Sequence, residues 1–354
     1  MTLYPKLILD ALGHVKYPAT GQDIVSAGMV ADNLRINGMS VSFSLVLKPN
    51  DPLAKSLVKA CEQAILTYIS PEVDIIGHIS VEHPASAQPA EEKPDAMARV
   101  KCKIAVSSGK GGVGKSTVSA NLAVALAKQG YKVGLLDADI YGPSIPKMFG
   151  IEGERPVADD QGLIVPIEKY GVKILSIGFF VDAASAIVWR GAMASNAIKQ
   201  LITEAAWGEL DFFLIDLPPG TSDIHLTLVQ NLQLDGAIVV STPQAVALAD
   251  AVKGIDMFRN PQVNIPILGI VENMAWFTPA ELPDHKYYLF GKEGAKRLAE
   301  REGIELLGQV PIVQSICESG DQGSPIALQS DIVSAVFVDM AKKTIFAETI
   351  KNKA

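Results

Sequence analysis

Three features of the sequence predict an α/β protein, a parallel sheet with helices on both faces, preceded by a small α+β domain. From residue 100 onward, short apolar runs rich in β-branched residues alternate with helical stretches. That alternation is the mark of a parallel sheet covered on both sides. A glycine-rich segment, GKGGVGKST, lies between one such run and one such stretch. Third, EHPASAQPAEEKPDAMAR at 82–99 is rich in Pro, Ala and charge and has too few large apolar side chains to bury itself. The expected organisation is a small domain at 1–81, a linker at 82–99 and the larger domain at 100–354.

The front domain begins with LYPKLILDAL, which reads as a helix. MSVSFSLVL alternates as a half-buried strand does. DPLAKSLVKACEQAILTYI has helical spacing, with Asp51 and Pro52 expected at its cap and first turn. In the larger domain the expected strands are KIAVSS, VGLLDAD, VKILSIGF, FFLIDLPP, AIVVSTP and ILGIVEN. STVSANLAVALAKQG, SNAIKQLITEAAW and AVALADAVKGIDMF are the expected helices between them. Ligands of such sheets bind at the carboxyl ends of the strands.

The chain has 354 residues, of which 48% are hydrophobic, enough for a sizeable core. No apolar run is long and uncharged enough to read as a transmembrane helix, and MTLYPKLILDALGHV reads as a structural helix, not a signal peptide. A net charge of −8 argues against a general nucleic-acid binder or a polybasic membrane protein. Cys61, Cys102 and Cys317 are far apart and unpaired in spacing, which points to a reducing cytoplasm, not a disulfide scaffold. His14, His78, His83 and His225 show no metal-ligand spacing.

The loop carries the clearest chemistry. Gly109, Lys110, Gly111, Gly112, Val113, Gly114, Lys115 and Ser116, followed by Thr117, fit G-x-x-x-x-G-K-[ST] between a strand and a helix. Glycines let backbone N–H groups turn inward around phosphate oxygens, and the helix N-terminus adds its positive end. Lys115 is expected on the β- and γ-phosphates of ATP and the Ser116 hydroxyl on Mg²⁺. Asp137 and Asp139 follow one apolar strand and Asp216 another. Charges at such places are costly unless a cation or a catalytic water engages them. Asp216 is expected to order Mg²⁺. A helix cap for Asp139 and a turn for Asp137 are the purely structural alternatives.

The second lysine, in KGGVGKST, resembles the deviant Walker A loop of ParA/MinD-class ATPases. That resemblance implies a homodimer closed by ATP, in which Lys110 reaches the partner's phosphates. A cation from a neighbour would neutralise transition-state charge as an arginine finger does; a solvated loop lysine is the alternative. The resemblance also implies Asp139 as the residue that polarises the attacking water and Asp137 as a neighbour of the metal. Asn273 would meet the adenine edge, with residues around Pro311 lining the base.

LLDADIYGPSIPKMFG, VWRGAMASNAIKQ, WGELDFFLIDLPPGTSDIHLTL and GIVENM together resemble the Mrp/ApbC family of iron–sulfur cluster carrier ATPases. GQDIVSAGMVADNLRINGMSVSFSLVL resembles the iron–sulfur assembly domain that often precedes them. The implied function is an ATPase that carries an iron–sulfur cluster to apoproteins, with those apoproteins or assembly factors as partners. One departure matters. Family members commonly carry C-x-x-C shortly after the N-M of this segment, two pairs bridging a cluster through four thiolates. Here the segment reads NMAWFTPAELPDHKYYLFG. Smaller departures are Ala192, where proline is expected, and the lack of a cysteine near Pro49 to Pro52. Cys317 is the remaining candidate ligand, with Asp284 and His285 as supplements; it also reads as a partly exposed thiol. Cys61 and Cys102 read as packing residues.

Other readings share the loop. An adaptor that no longer carries a cluster fits the missing cysteines. A positioning ATPase of the MinD or ParA kind would need a basic amphipathic helix or patch. DIVSAVFVDMAKKTIFAETIKNKA has enough apolar positions to read instead as a helix docked on the domain. Nucleotide-dependent reduction or ligation has no further nucleophile constellation to support it.

Overall fold

The computed structural model describes residues 3–18, 21–31, 33–47, 51, 53–82, 96–140, 142–180, 191–220, 229, 233–279 and 281–351, with backbone alone at 191–194 and 348–351. The chain divides into two compact units, 1–93 and 94–354. The segment read as a linker falls mostly on 83–95, outside the described residues. So do His83, Pro49, Pro52, His225 and the start of VWRGAMASNAIKQ.

In the first unit, strand β1 (Arg35–Asn37) pairs antiparallel with β2 (Ser40–Val46), which pairs parallel with β3 (Ile79–Glu82). Helices α1 (Pro5–Leu12) and α2 (Ala54–Tyr68) are the two read from the sequence. Alternate residues of β2, Val41, Phe43 and Leu45, meet Ile8, Leu12, Leu57, Cys61 and Ile65 in one core. The start of α2 corrects an expectation. Leu53, not Asp51, is the N-cap residue. Asp51 sits earlier because its Oδ1 accepts from Leu53 N–H at 2.8 Å, an Asx-type turn, while its Oδ2 takes the Tyr17 hydroxyl at 2.7 Å.

The second unit holds an eight-stranded sheet in the order β11-β10-β9-β4-β8-β5-β7-β6. The strands are β4 (Val100–Ser108), β5 (Val133–Asp137), β6 (Ile167–Lys169), β7 (Val172–Ser176), β8 (Leu210–Asp216), β9 (Gly236–Ser241), β10 (Ile267–Phe277) and β11 (Leu306–Ile312). All neighbours are parallel except the edge pair β6–β7. The expected parallel sheet therefore carries one short antiparallel edge strand. The helices are α3 (Lys115–Lys128), α4 (Ile145–Phe149), α5 (Gly191–Thr203), α6 (Ala245–Arg259), α7 (Gly294–Glu302), α8 (Gln314–Asp321) and α9 (Ile332–Lys351).

Period-two alternation along the strands divides the core into two apolar layers. Cys102, Ile104 and Val106 of β4 join one layer with α3 and with Phe337, Met340 and Ala341 of α9. Ala105 joins the other with Ile198 and Ile202 of α5, Ile255 and Phe258 of α6, and Leu298 of α7. Helix α3 is buried almost all round, which explains its small, apolar sequence. The register aligns the strand ends: Val106 lies opposite Asp216, Asp216 opposite Asp137, and Asp137 opposite Ser176. Among the described residues no helix is long and apolar enough to cross a membrane.

Candidate functional site

The loop 109–116 leaves β4 and enters α3. Two of its glycines have specific causes. A side chain at Gly109 would strike the backbone of Asp250 in α6. Gly114 caps α3 with φ +80, and the Asn273 amide occupies the place a Cβ would take.

Lys115 is buried, and its Nζ lies 2.8 Å from Asp216 Oδ2 and 3.7 Å from Asp139 Oδ2. Asp216 is fully buried and accepts two further bonds of 2.6 Å, from Ser116 Oγ and Ser119 Oγ. Asp137, equally buried, accepts from Asp139 N–H at 3.1 Å, Ile145 N–H at 3.2 Å and Ser176 Oγ at 3.0 Å. Burial, then the charge of Asp216, pushes the Asp137 carboxyl up to about 7, against the opposing pull of Lys115 and Ser176. Asp216 and Asp139 thus pair with one buried ammonium, and Asp137 adds a third carboxyl beside Asp216. Their hard oxygens and surplus negative charge fit Mg²⁺.

Lys110 is half-buried, with its carbonyl accepting from Ser108 Oγ at 3.0 Å. Thr117 and Gly114 line both a cleft of about 210 Å³ and an adjoining cavity of about 690 Å³. The cleft is walled by Gly111, Gly112, Lys115, Ser116 and Asp139, so it is the polar, phosphate-sized part. Asn273, Pro311 and Cys317 line the larger cavity, whose other walls are chiefly apolar. Val113, also a member of the loop motif, is buried, and its carbonyl accepts a 2.8 Å bond from Asn273 Nδ2. Asn273 does not end its strand, as the sequence reading had it: β10 runs on to Phe277. Pairing shifts register between Asn273 and Phe277, and Met274 has φ +56. That irregularity leaves Asn273 against the loop while the strand continues beyond it.

Cys317, in the first turns of α8, is the exposed member of three free thiols; Cys61 and Cys102 are buried. Burial pushes the Cys61 thiol up to about 12. Asp284 and His285 lie exposed on the loop after β10. Among the described residues no group of three or more His, Cys, Asp or Glu side chains is arranged to hold a metal.

Sequence reasoning missed Ser119, Ser176 and Glu272. Ser119 had a signal: it stands one helical step from Ser116, on the same face of the helix. Glu272, fully buried, accepts from Ala295 N–H at 2.6 Å and Gln309 Nε2 at 2.7 Å, so it ties the start of α7 and β11 to β10. Those partners are too distant in sequence to be read from spacing.

Comparison with known proteins agrees with this architecture. Residues 99–345 match the family described as NUBPL iron-transfer P-loop NTPase. Residues 6–74 match the domain described as iron–sulfur cluster assembly protein. An iron–sulfur cluster carrier protein of Synechocystis sp. is 42% identical over 347 residues, 96% of each chain. One from Aquifex aeolicus is 50% identical over 258 residues, 72% of this chain and 69% of that one. A solved nucleotide-binding protein from Archaeoglobus fulgidus, in complex with ADP, superposes with a TM-score of 0.59 at 41% identity, covering 67% of this chain and 93% of that one.

Proposed function

This chain belongs to the iron-transfer P-loop NTPase family, and we propose from that premise that it is an ATP-switched carrier or assembly factor for iron–sulfur proteins, working as a homodimer in the cytoplasm. The observation that carries the nucleotide half is the cluster of Lys115, Ser116, Asp137, Asp139 and Asp216 at the aligned strand ends beside a phosphate-sized cleft.

In this reading the loop amides and Lys115 bind the phosphates of ATP. Ser116, Asp137 and Asp216 hold Mg²⁺ directly or through water, and the metal offsets phosphate charge when bound. Asp139 orients the attacking water. Asn273 and Pro311 meet the base. Lys110 acts across the dimer. Hydrolysis reopens the dimer and resets the carrier.

The cluster is cargo, and the usual four-thiolate set does not fit this chain. Cys61 and Cys102 are buried, so each protomer offers only Cys317. Because Cys317 lines the cavity assigned to the base, a bound nucleotide covers the thiol. Cluster ligation there and nucleotide occupancy exclude each other. Anaerobic reconstitution with iron and sulfide, read by absorption and iron counting, tests this. The expected result is a cluster in the nucleotide-free protein, lost on Cys317→Ala and diminished by saturating ADP. No cluster in the wild-type protein removes the carrier role and leaves an ATP-driven adaptor.

A further inference from the structure

Two exposed apolar side chains that no motif assigned stand in the wall of the larger cavity. Leu289 and Phe290 line it together with Gly114, Asn273 and Pro311, yet they are 62% and 38% exposed. They come from the segment after β10, the one that stands where a cysteine pair was expected.

That segment is tied down at several points. Phe277 and Tyr287 exchange both backbone hydrogen bonds at 2.8 Å, closing the loop at its base. Lys286 Nζ sits 3.8 Å over the Trp276 ring, a cation–π contact beside that closure. Gly291 N–H donates to Tyr288 O at 3.2 Å. Beyond it, the buried Glu272 carboxylate holds Ala295 at the start of α7. Leu289 and Phe290 are therefore presented at a fixed place between two anchored points.

The two adjoining spaces differ in chemistry. The small cleft carries Lys115, Ser116 and Asp139. Leu289, Phe290, Met274, Ile312, Val313 and Ile316 dominate the walls of the large one. A ligand that fills both has a phosphate chain at one end and a flat, weakly polar body at the other. We propose that Leu289 and Phe290 are nucleobase-contacting residues, an apolar wall that makes the site prefer a nucleotide over a bare phosphate chain. The proposal rests on the nucleotide reading above and adds the loop after β10 to it. That loop then contributes to nucleotide recognition at the position where relatives of the resembled family carry cysteines.

Calorimetric titration of the full-length protein with ADP and with inorganic pyrophosphate tests the assignment. Both side chains are exposed, so Leu289→Ala/Phe290→Ala is expected to leave the melting temperature near that of the wild type. ADP affinity should fall about tenfold or more, as when a base loses an apolar stacking partner, while pyrophosphate affinity stays within about twofold. Phe290→Tyr should retain ADP binding, since the ring face is kept. Unchanged ADP affinity in the double variant overturns the proposal alone. Equal weakening of both ligands also overturns it, by assigning the effect to the phosphate loop. Wild-type protein that binds neither ligand overturns the nucleotide reading and this proposal together.

Discussion

At the head of α3 the buried Lys115 ammonium pairs with Asp216 and Asp139, and Asp137 lies beside Asp216 on the neighbouring strand. Lys115 is a poor probe of this arrangement, because removing one partner of a buried pair strands the other and costs roughly 3–5 kcal/mol. Asp137 is the cleaner one. Its carboxyl is raised from 3.8 to about 7, chiefly by burial and then by Asp216. The sign follows directly. Between those values the unfolded chain has lost this proton and the native protein keeps it, so stability falls as pH rises through the window. Below about pH 4 and above about pH 7 the contribution is level. Urea titrations of metal-free wild type and Asp137→Asn from pH 4 to 8 should show the wild type losing ground to the variant as pH rises. Parallel curves would mean that Asp137 ionises freely in the folded protein. The site's members were legible where a motif names a chemistry, as at Lys115 and Ser116, which the fold sets against Asp216. Ser119, Ser176 and Glu272 were not, because a buried hydrogen-bonding side chain looks in sequence like any other polar residue.

Helix α9 shows how an element's role depends on what covers it. Its sequence has apolar residues around much of its circumference and several lysines, a composition compatible with a surface anchor. In the structure Phe337, Met340, Ala341 and Thr344 are fully buried, and the helix joins the core layer of α3. Phe337→Ala should cost about 3–5 kcal/mol, as other large-to-small core changes do, measured as a fall in the denaturant midpoint. A change under about 1 kcal/mol would mean the helix leaves the domain readily. The loop after β10 is the converse case. It read as the site of a missing ligand pair; folded, it is a bridge-closed segment whose apolar residues border the cavity. Its bridge partner, Tyr287, is ten residues from Phe277 in sequence, and no hydrophobic period announced the pairing.

At the level of the assembled protein the open question is the dimer, and Lys110 is where it is tested. Lys110 lies half-buried in the loop, and among the described residues it is Lys115 that pairs with the site's carboxylates. If Lys110 acts on the partner's phosphates, Lys110→Ala should still bind ADP but lose ATP-dependent dimerisation in size-exclusion light scattering. Turnover should fall about a thousandfold, the lower end of what a trans-acting cation supplies. A variant that dimerises and hydrolyses normally would make Lys110 an ordinary loop lysine.

Sequence alone was enough for the α/β architecture, the six strands at the heart of the sheet, the phosphate loop and the three carboxylates. Each of these is local: a period, a glycine spacing, an acid at the end of an apolar run. What folding added is non-local. Strand order buries Asp137 beside Asp216, and burial first, then that neighbour's charge, raises its carboxyl. A register break at Asn273 turns its amide onto Val113. The return of the chain through α8 lines one cavity with Cys317, Pro311 and Phe290. These depend on which distant segments share a space, and hydrophobic pattern specifies a buried face without specifying its partner.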